Sequence, residues 1–325
     1  MQLFDSYHRK IGYLRLSVTD LCNLRCRYCM PADGVPKVSH GEILSYEDLY
    51  RVAQAAVSLG IEKIRVTGGE PLVRRGIVEF LARLSKIPGL SELAVTTNGV
   101  LLKEMAEDLR IAGVQRLNIS LDSLHPVNFT RITRRGSLQR VLAGVTAAEK
   151  AGFPIKLNTV VMRGINDGEI EELAALTLNK PFTVRFIEYM PTLNDKKWQS
   201  LFVPGEEILE RIARRFAFEK VAPARLAGPS RDFRITGATG KIGVITAVSQ
   251  HFCGDCNRIR VTATGKVQGC LFSKEELDLK PILQAGDTAL LGKSLGNLVG
   301  NKPESHPLLD AEKDRDAFVM ASVGG

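Results

Sequence analysis

Short runs in which apolar and polar residues alternate with period two recur along the chain, each followed by a stretch with apolar residues at helical spacing. The strand-like runs are Tyr13–Val18, Lys63–Thr67, Leu93–Thr97, Arg116–Leu121, Ile155–Val161 and Thr183–Tyr189. Helical periodicity occupies Tyr46–Leu59, Gly76–Ile87, Leu102–Ile111, Leu138–Ala151, Gly168–Leu176 and Glu206–Phe216. Ser45 and Asp48 have the spacing of a capping box, and Gly60 and Gly152 stand where helix C-caps belong. Strands alternating with helices predict an α/β fold with a parallel sheet and right-handed crossovers. Six units fall short of the eight of a closed barrel. The expected architecture is a partial (βα)6 TIM-type barrel, with a doubly wound open sheet as its competitor.

The phase of the strands adds to their order. Parallel strands buried on both faces usually read as continuous apolar runs, yet these alternate. Arg15, Ser17 and Thr19 oppose Leu14, Leu16 and Val18, and Lys63, Arg65 and Thr67 oppose Ile64 and Val66. Asn118, Ser120 and Asp122 oppose Leu117, Ile119 and Leu121; Lys156 and Asn158 oppose Ile155 and Leu157; Arg185 opposes Val184 and Phe186. The apolar side is the one helices cover, so the polar side lines a cavity carrying Arg15, Lys63, Arg65, Lys156 and Arg185. Five cations converging there call for an anion; a merely solvated second face is the plainer alternative.

After about Ala217 the pattern changes. Asp232–Thr236, Lys241–Val248 and Arg260–Thr264 read as strands, and Thr264-Gly265-Lys266 as a turn between Ile259–Ala263 and Val267–Leu271. Val221–Arg231, with two prolines and Gly228, reads as a linker. Residues 1–217 are therefore expected to form the barrel. Residues 218–325 are expected to form a smaller region, antiparallel or irregular, packed against it.

Composition is that of an ordinary globular protein, 44% hydrophobic and 25% charged. The polar N-terminus is not a secretory signal, and no run reaches the roughly 20 apolar residues of a membrane span. A cytoplasmic location with no membrane partner is expected, which makes disulfides between the six cysteines improbable. The net charge of +8 suits an anionic partner, whereas 6% aromatic content argues against single-stranded nucleic acid.

All six cysteines fall in two triplets, Cys22-x3-Cys26-x2-Cys29 directly after the first strand, and Cys253-x2-Cys256 with Cys270. Three readings compete. Reduced structural thiols do not cluster this way. A zinc site from Cys26, Cys29, Cys253 and Cys256, as in a non-enzymatic nucleic-acid-binding protein, strands Cys22 and Cys270. Two iron–sulfur clusters, each with three protein ligands, use all six and leave one iron of each open to a small molecule.

The first triplet, with Tyr28 before its last cysteine, resembles the signature of the radical S-adenosylmethionine superfamily, as does Thr67-Gly-Gly-Glu-Pro71 at the end of the second strand. The chain as a whole resembles the molybdenum cofactor biosynthesis protein A family of GTP 3',8-cyclases. The resemblance rests on Leu14-Arg-Leu-Ser-Val-Thr-Asp20, Thr96-Thr-Asn-Gly99, Asn118-Ile-Ser-Leu-Asp-Ser123, Ile187-Glu-Tyr-Met-Pro191 and Cys256-Asn-Arg-Ile-Arg260. Cys270-Leu-Phe272 and the terminal Gly324-Gly325 extend it. Thr264 stands where that family commonly has an aspartate. Another two-cluster enzyme of the superfamily, modifying a peptide or an RNA base, is the alternative; such peptide-modifying relatives usually carry more C-terminal cysteines.

The resemblance implies two 4Fe–4S clusters and S-adenosyl-L-methionine as cofactors. Cys22, Cys26 and Cys29 would hold the cluster that cleaves S-adenosylmethionine, with Tyr28, Gly69, Ser120 and Met190 lining its pocket. Cys253, Cys256 and Cys270 would hold the second cluster. Arg15, Lys63, Arg65, Thr96, Lys156, Arg185, Arg258, Ile259 and Arg260 would hold GTP, and Gly324 and Gly325 would serve catalysis. The implied reaction joins ribose C3' to guanine C8. The implied partners are GTP, a low-potential electron donor, the downstream cyclic pyranopterin monophosphate synthase and a second copy in a homodimer. Outside these motifs, Gly292-Lys293-Ser294 reads as a surface helix or turn rather than a phosphate loop, the arginines of 131–140 as a solvated helix face, and the five histidines show no metal-ligand spacing.

Overall fold

Because each core strand has one apolar face, its side chains divide between a helix-covered layer and an open face. The computed structural model describes residues 2–36, 38–192, 198–273, 276–306 and 319–324. Six strands, β1 (Tyr13–Ser17), β2 (Lys63–Thr67), β3 (Glu92–Thr97), β4 (Arg116–Ser120), β5 (Ile155–Val161) and β6 (Thr183–Glu188), lie side by side in chain order and pair in parallel. An order that never reverses places every right-handed crossover on one face, which is the barrel-type arrangement and not the doubly wound one.

The crossover helices are α1 (Tyr46–Ser58), α2 (Ile77–Leu84), α3 (Leu102–Ile111), α4 (Pro126–Thr133), α5 (Leu138–Lys150) and α6 (Ile170–Asn179). α1 starts as the capping spacing predicts, with Ser45 Oγ accepting from the Asp48 amide at 3.0 Å. Leu14, Leu16, Ile64, Val66, Leu117, Ile119, Val184 and Phe186 are fully buried in one continuous core beneath these helices. α4 is an eight-residue helix that the periodicity did not predict; Pro126 occupies its first turn, and its last carbonyls lie against the first cysteine loop. α7 (Trp198–Leu201) and α8 (Gly205–Ala213) follow β6.

The C-terminal region, expected to be antiparallel or irregular and packed against the barrel, also contributes strands that pair in parallel with it. Its strands are β7 (Phe218–Lys220), β8 (Arg231–Ile235), β9 (Lys241–Ile245), β10 (Arg258–Val261), β11 (Lys266–Gln268) and β12 (Leu277–Asp278). β9 joins β6 and β10 joins β1, both in parallel, so the parallel part of the sheet has eight strands. β8 and β7 extend one edge antiparallel, and β11 and β12 extend the other. The second cysteine triplet is thereby seated next to β1, with Cys253 and Cys256 before the start of β10, whereas the first triplet follows the end of β1. α9 (Lys280–Ala285) and α10 (Thr288–Gly300) follow; Gly292, Lys293 and Ser294 lie within α10, as a helix rather than a phosphate loop. Among the described residues no helix is long and apolar enough to cross a membrane.

Candidate active site

Strand register turns the polar phase into rows. Arg260, Arg15 and Arg65 are direct neighbours across β10, β1 and β2, and Arg258, Tyr13 and Lys63 form the row before them. Asn158 stands beside Arg185 across β5 and β6. Gly243 on β9 makes room for that arginine, since a Cβ there would sit 3.0 Å from Arg185 Cγ. Adjacent strands are about 4.8 Å apart, so these guanidinium groups crowd one side of a cavity of about 240 Å³.

Arg185 and Arg260 are buried, and Arg15 and Arg65 half-buried. Nε of Arg15, Arg65, Arg185 and Arg258, Nη1 of Arg260, Oγ1 of Thr96 and the Tyr13 hydroxyl are buried without a hydrogen-bond partner. Burial, reinforced by the neighbouring guanidinium groups, lowers Arg185 to about 9 and Arg260 to about 10. Burial alone would raise Tyr13, but Arg65, Arg15, Lys63 and Arg258 outweigh it and bring the phenol down to about 8. So many buried, unpaired donors are costly unless a polyanion completes them. Lys63 pairs with Glu92 at 3.0 Å and donates to the Leu226 carbonyl at 2.9 Å, and Arg185 Nη2 donates to Asn118 Oδ1 at 2.7 Å. Glu92 also pairs with Arg116, a cation the sequence reading did not single out.

The first cysteine triplet faces the same cavity from the C-terminal ends of the strands. Its loop is fixed from several sides. The Cys29 and Met30 amides donate to the Cys26 carbonyl, and the Arg25 and Arg27 amides donate to the carbonyls of Thr133 and Ile132 at the end of α4. Arg134, at φ 62° after α4, donates to the carbonyls of Arg25 and Met30. Tyr28 Oη donates to Asp122 Oδ2 at 2.8 Å, and Thr192 Oγ1 donates to the Tyr28 carbonyl. Gly68 and Gly69 permit a close approach: a Cβ on Gly69 would lie 2.4 Å from the Leu21 carbonyl oxygen, and the Gly69 and Glu70 amides donate to Thr19 and Leu21. Glu70 in turn accepts from Thr97 Oγ1 and the Asn98 amide, locking this turn to the end of β3.

The donors suit a soft cluster rather than isolated thiols. Burial, with Asp122 and the other two cysteines, holds Cys26 far above the ordinary thiol range, and burial pushes Cys29 up to about 12. A coordinated thiol is deprotonated outright, so a metal cluster would relieve both. The triplets remain distinct groups: Cys26 is coupled to Cys29 and Cys22, Cys253 to Cys270 and Cys256. A four-cysteine zinc site would need Cys26 and Cys29 beside Cys253 and Cys256, yet the first pair follows the end of β1 and the second precedes the start of its parallel neighbour β10. Phe252, Arg258 and Leu271, neighbours of the second triplet, line the cavity at its other side.

Of the residues singled out from sequence, Cys22, Cys26, Cys29, Tyr28, Gly69, Ser120, Met190, Arg15, Arg65, Thr96, Arg185, Arg258 and Arg260 meet in this one cavity. Lys156 adjoins it, coupled to Arg185 and Arg116. Ile259 does not meet it: its side chain alternates to the opposite face and packs in the core beside Leu14. Gly324 reaches in, its carbonyl accepting from Arg15 Nη2 at 3.0 Å and Thr67 Oγ1 at 3.2 Å, while Gly325 lies outside the described residues. Tyr13, Glu70 and Asn98 line the cavity without having been singled out as site residues, and Asn158 lines it from the polar strand phase. Tyr13 could have been found from its place two residues before Arg15 on the polar phase.

Residues 16–177 match the family model of the Radical SAM superfamily, and residues 182–308 match that of Molybdenum Cofactor Synthesis C. The chain is 62% identical over 326 residues to a GTP 3',8-cyclase of Geobacter sulfurreducens, covering 100% of both chains. It is 47% identical to a GTP 3',8-cyclase of Peptoclostridium acidaminophilum, covering 99% of this chain and 98% of that one. Among solved structures, Streptococcus suis SuiB bound to precursor peptide SuiA is similar in fold, with TM-score 0.64 at 16% identity, covering 95% of this chain and 75% of that one.

Proposed function

The chain belongs to the GTP 3',8-cyclase family of the radical SAM superfamily, and on that premise we propose how its residues divide the reaction. The enzyme converts GTP to (8S)-3',8-cyclo-7,8-dihydroguanosine 5'-triphosphate, the first step of molybdenum cofactor biosynthesis. The carrying observation is a single cavity with three thiols on one side and, on another, a group of arginines each with a buried nitrogen that has no hydrogen-bond partner.

In this reading Cys22, Cys26 and Cys29 hold a 4Fe–4S cluster, and Cys253, Cys256 and Cys270 hold a second. Bound with S-adenosylmethionine, the first cluster supplies one-electron radical chemistry at the ribose. The chain positions the reactants. Tyr28, Gly69, Ser120 and Met190 line the S-adenosylmethionine end. Arg15, Arg65, Arg258, Arg260 and Arg185, with Lys63 and Lys156 behind them, take the triphosphate by charge-assisted hydrogen bonds. Thr96 offers its unpartnered hydroxyl to the nucleoside. A buried cavity keeps water from the reacting atoms. Residues 1–217 act as the radical core and 218–325 as the part that carries the second cluster and the tail. A low-potential donor supplies electrons, cyclic pyranopterin monophosphate synthase consumes the product, and the enzyme works as a cytoplasmic homodimer. The six unpaired cysteines suit a reducing compartment.

Anaerobic incubation with GTP, S-adenosylmethionine and a reductant tests this division. Cys26→Ser is expected to abolish cleavage of S-adenosylmethionine; Cys256→Ser is expected to retain part of it and lose cyclised product. Equal and complete loss of cleavage in both variants overturns the separate roles.

A further inference from the structure

Lys302, just beyond α10, is 3% exposed. Its ammonium lies 3.3 Å from Cys256 Sγ and donates to the Gly269 carbonyl at 2.5 Å. Among the described residues it forms no ion pair with a carboxylate. A buried ammonium without a counter-anion is costly, and the thiolate of Cys256 is the anion within reach. Gly269 immediately precedes Cys270, so one side chain joins Cys256 to the backbone beside Cys270, with thirteen residues between those two cysteines.

The backbone around Lys302 is fixed from the N-terminus. Arg9, buried and paired with Asp5 at 2.5 Å, donates to the carbonyls of Cys253 at 2.7 Å, Glu304 at 2.8 Å and Pro303 at 2.6 Å. Arg9 therefore ties the third member of the triplet to the segment that carries Lys302. All three cysteines are referred, through two buried cations, to one short stretch after α10.

We propose that Lys302 is a positioning residue of the second cluster: its ammonium neutralises the Cys256 thiolate and clamps it to the strand end bearing Cys270. A cation donating to a cluster ligand stabilises the reduced, more negative state, because hydrogen bonds and nearby charge at the sulfurs set cluster potentials. This rests on the reading that the second triplet holds a 4Fe–4S cluster.

The test compares wild type, Lys302→Met and Lys302→Arg, each reconstituted anaerobically. Wild type is expected to hold about eight iron atoms per chain, two clusters of four; about four would refute the two-cluster reading itself. Lys302→Met is expected to lose iron from the second site alone. Where iron is retained, the midpoint potential of the second cluster, followed by electron paramagnetic resonance, is expected to fall. Uncoupled cleavage of S-adenosylmethionine at the first site stays at the wild-type rate. Lys302→Arg keeps the charge and is expected to restore most of the iron. Full iron and an unmoved potential in Lys302→Met overturn the proposal, as do identical Met and Arg variants. If circular dichroism shows Lys302→Met unfolded, Lys302→Gln replaces it. Gln and wild-type potentials that coincide then overturn the charge role.

Discussion

At the scale of single residues the fold buries basic groups whose charged form a bound anion would favour. Lys156 shows how. Burial, then Arg185 and Arg116, lower its ammonium to about 6, so at about pH 7 most free molecules carry it neutral. A bound triphosphate favours the charged form and raises that value. The protein therefore takes up a proton as GTP binds, and affinity declines as pH rises above about 6. Calorimetry of GTP binding in two buffers of different ionisation enthalpy measures the uptake. Lys156→Arg, charged throughout, is expected to take up less; comparing the two proteins cancels the proton chemistry of the nucleotide. Equal uptake in both would exclude Lys156 as the source. Sequence shows that Lys156 is basic and on the polar phase, but not that it is desolvated, which depends on β4, β6 and β8 closing round it. Tyr13 and Lys302 were hidden for the same reason: their meaning lies in what the fold buries beside them.

At the scale of elements the strand phases were legible because each strand is half apolar, and period two divides its side chains without reference to the rest of the chain. β2 makes the division testable. Ile64 is fully buried under the helices, whereas neighbouring Arg65 faces the cavity with an unpaired Nε. Ile64→Ala is expected to cost about 2–5 kcal/mol of stability while leaving GTP affinity of the folded protein within about twofold. Arg65→Ala is expected to weaken GTP about tenfold or more, from one lost charge-assisted contact, with S-adenosylmethionine binding little changed. Denaturant melts and anaerobic GTP titrations separate the two; if both variants lost affinity alike, the phase would carry no functional information. The edge pairings were not legible. β9 and β10 read as strands, but their parallel alignment on β6 and β1 joins segments far apart in sequence, and nothing local specifies the partner. α4 was missed because only Val127, Phe129 and Ile132 supply apolar side chains in its helical run, whereas α2, of the same length, carries a full apolar stripe.

At the scale of the whole molecule, the C-terminal segment closes what the strands open. The Met320 amide donates to the Cys29 carbonyl at the first triplet, and four residues later the Gly324 carbonyl accepts from Arg15 and Thr67. One short stretch thus spans from the cysteine loop to the arginine row. Gly324 sits at φ +81°, and a Cβ there would lie 3.1 Å from Ser17 and Thr67, so both its conformation and its clearance favour glycine. The sequence pattern alone would allow a frayed end, since two glycines have no side chain to bury; only the folded sheet supplies the slot. Because Gly324 contributes backbone contacts and no apolar burial, deleting Gly324 and Gly325 is expected to leave thermal stability, iron content and uncoupled S-adenosylmethionine cleavage near wild type. Cyclised product under single-turnover conditions is expected to drop on the order of 100-fold, the scale of loss when reacting groups are slightly misplaced. Gly324→Ala separates presence from shape: it keeps the chain length but strains the left-handed backbone, and is expected to fall between wild type and the truncation. Wild-type yield from the truncated protein would return the tail to an end that happens to lie in the cavity, and would leave Arg15 and Thr67 free to serve the substrate alone.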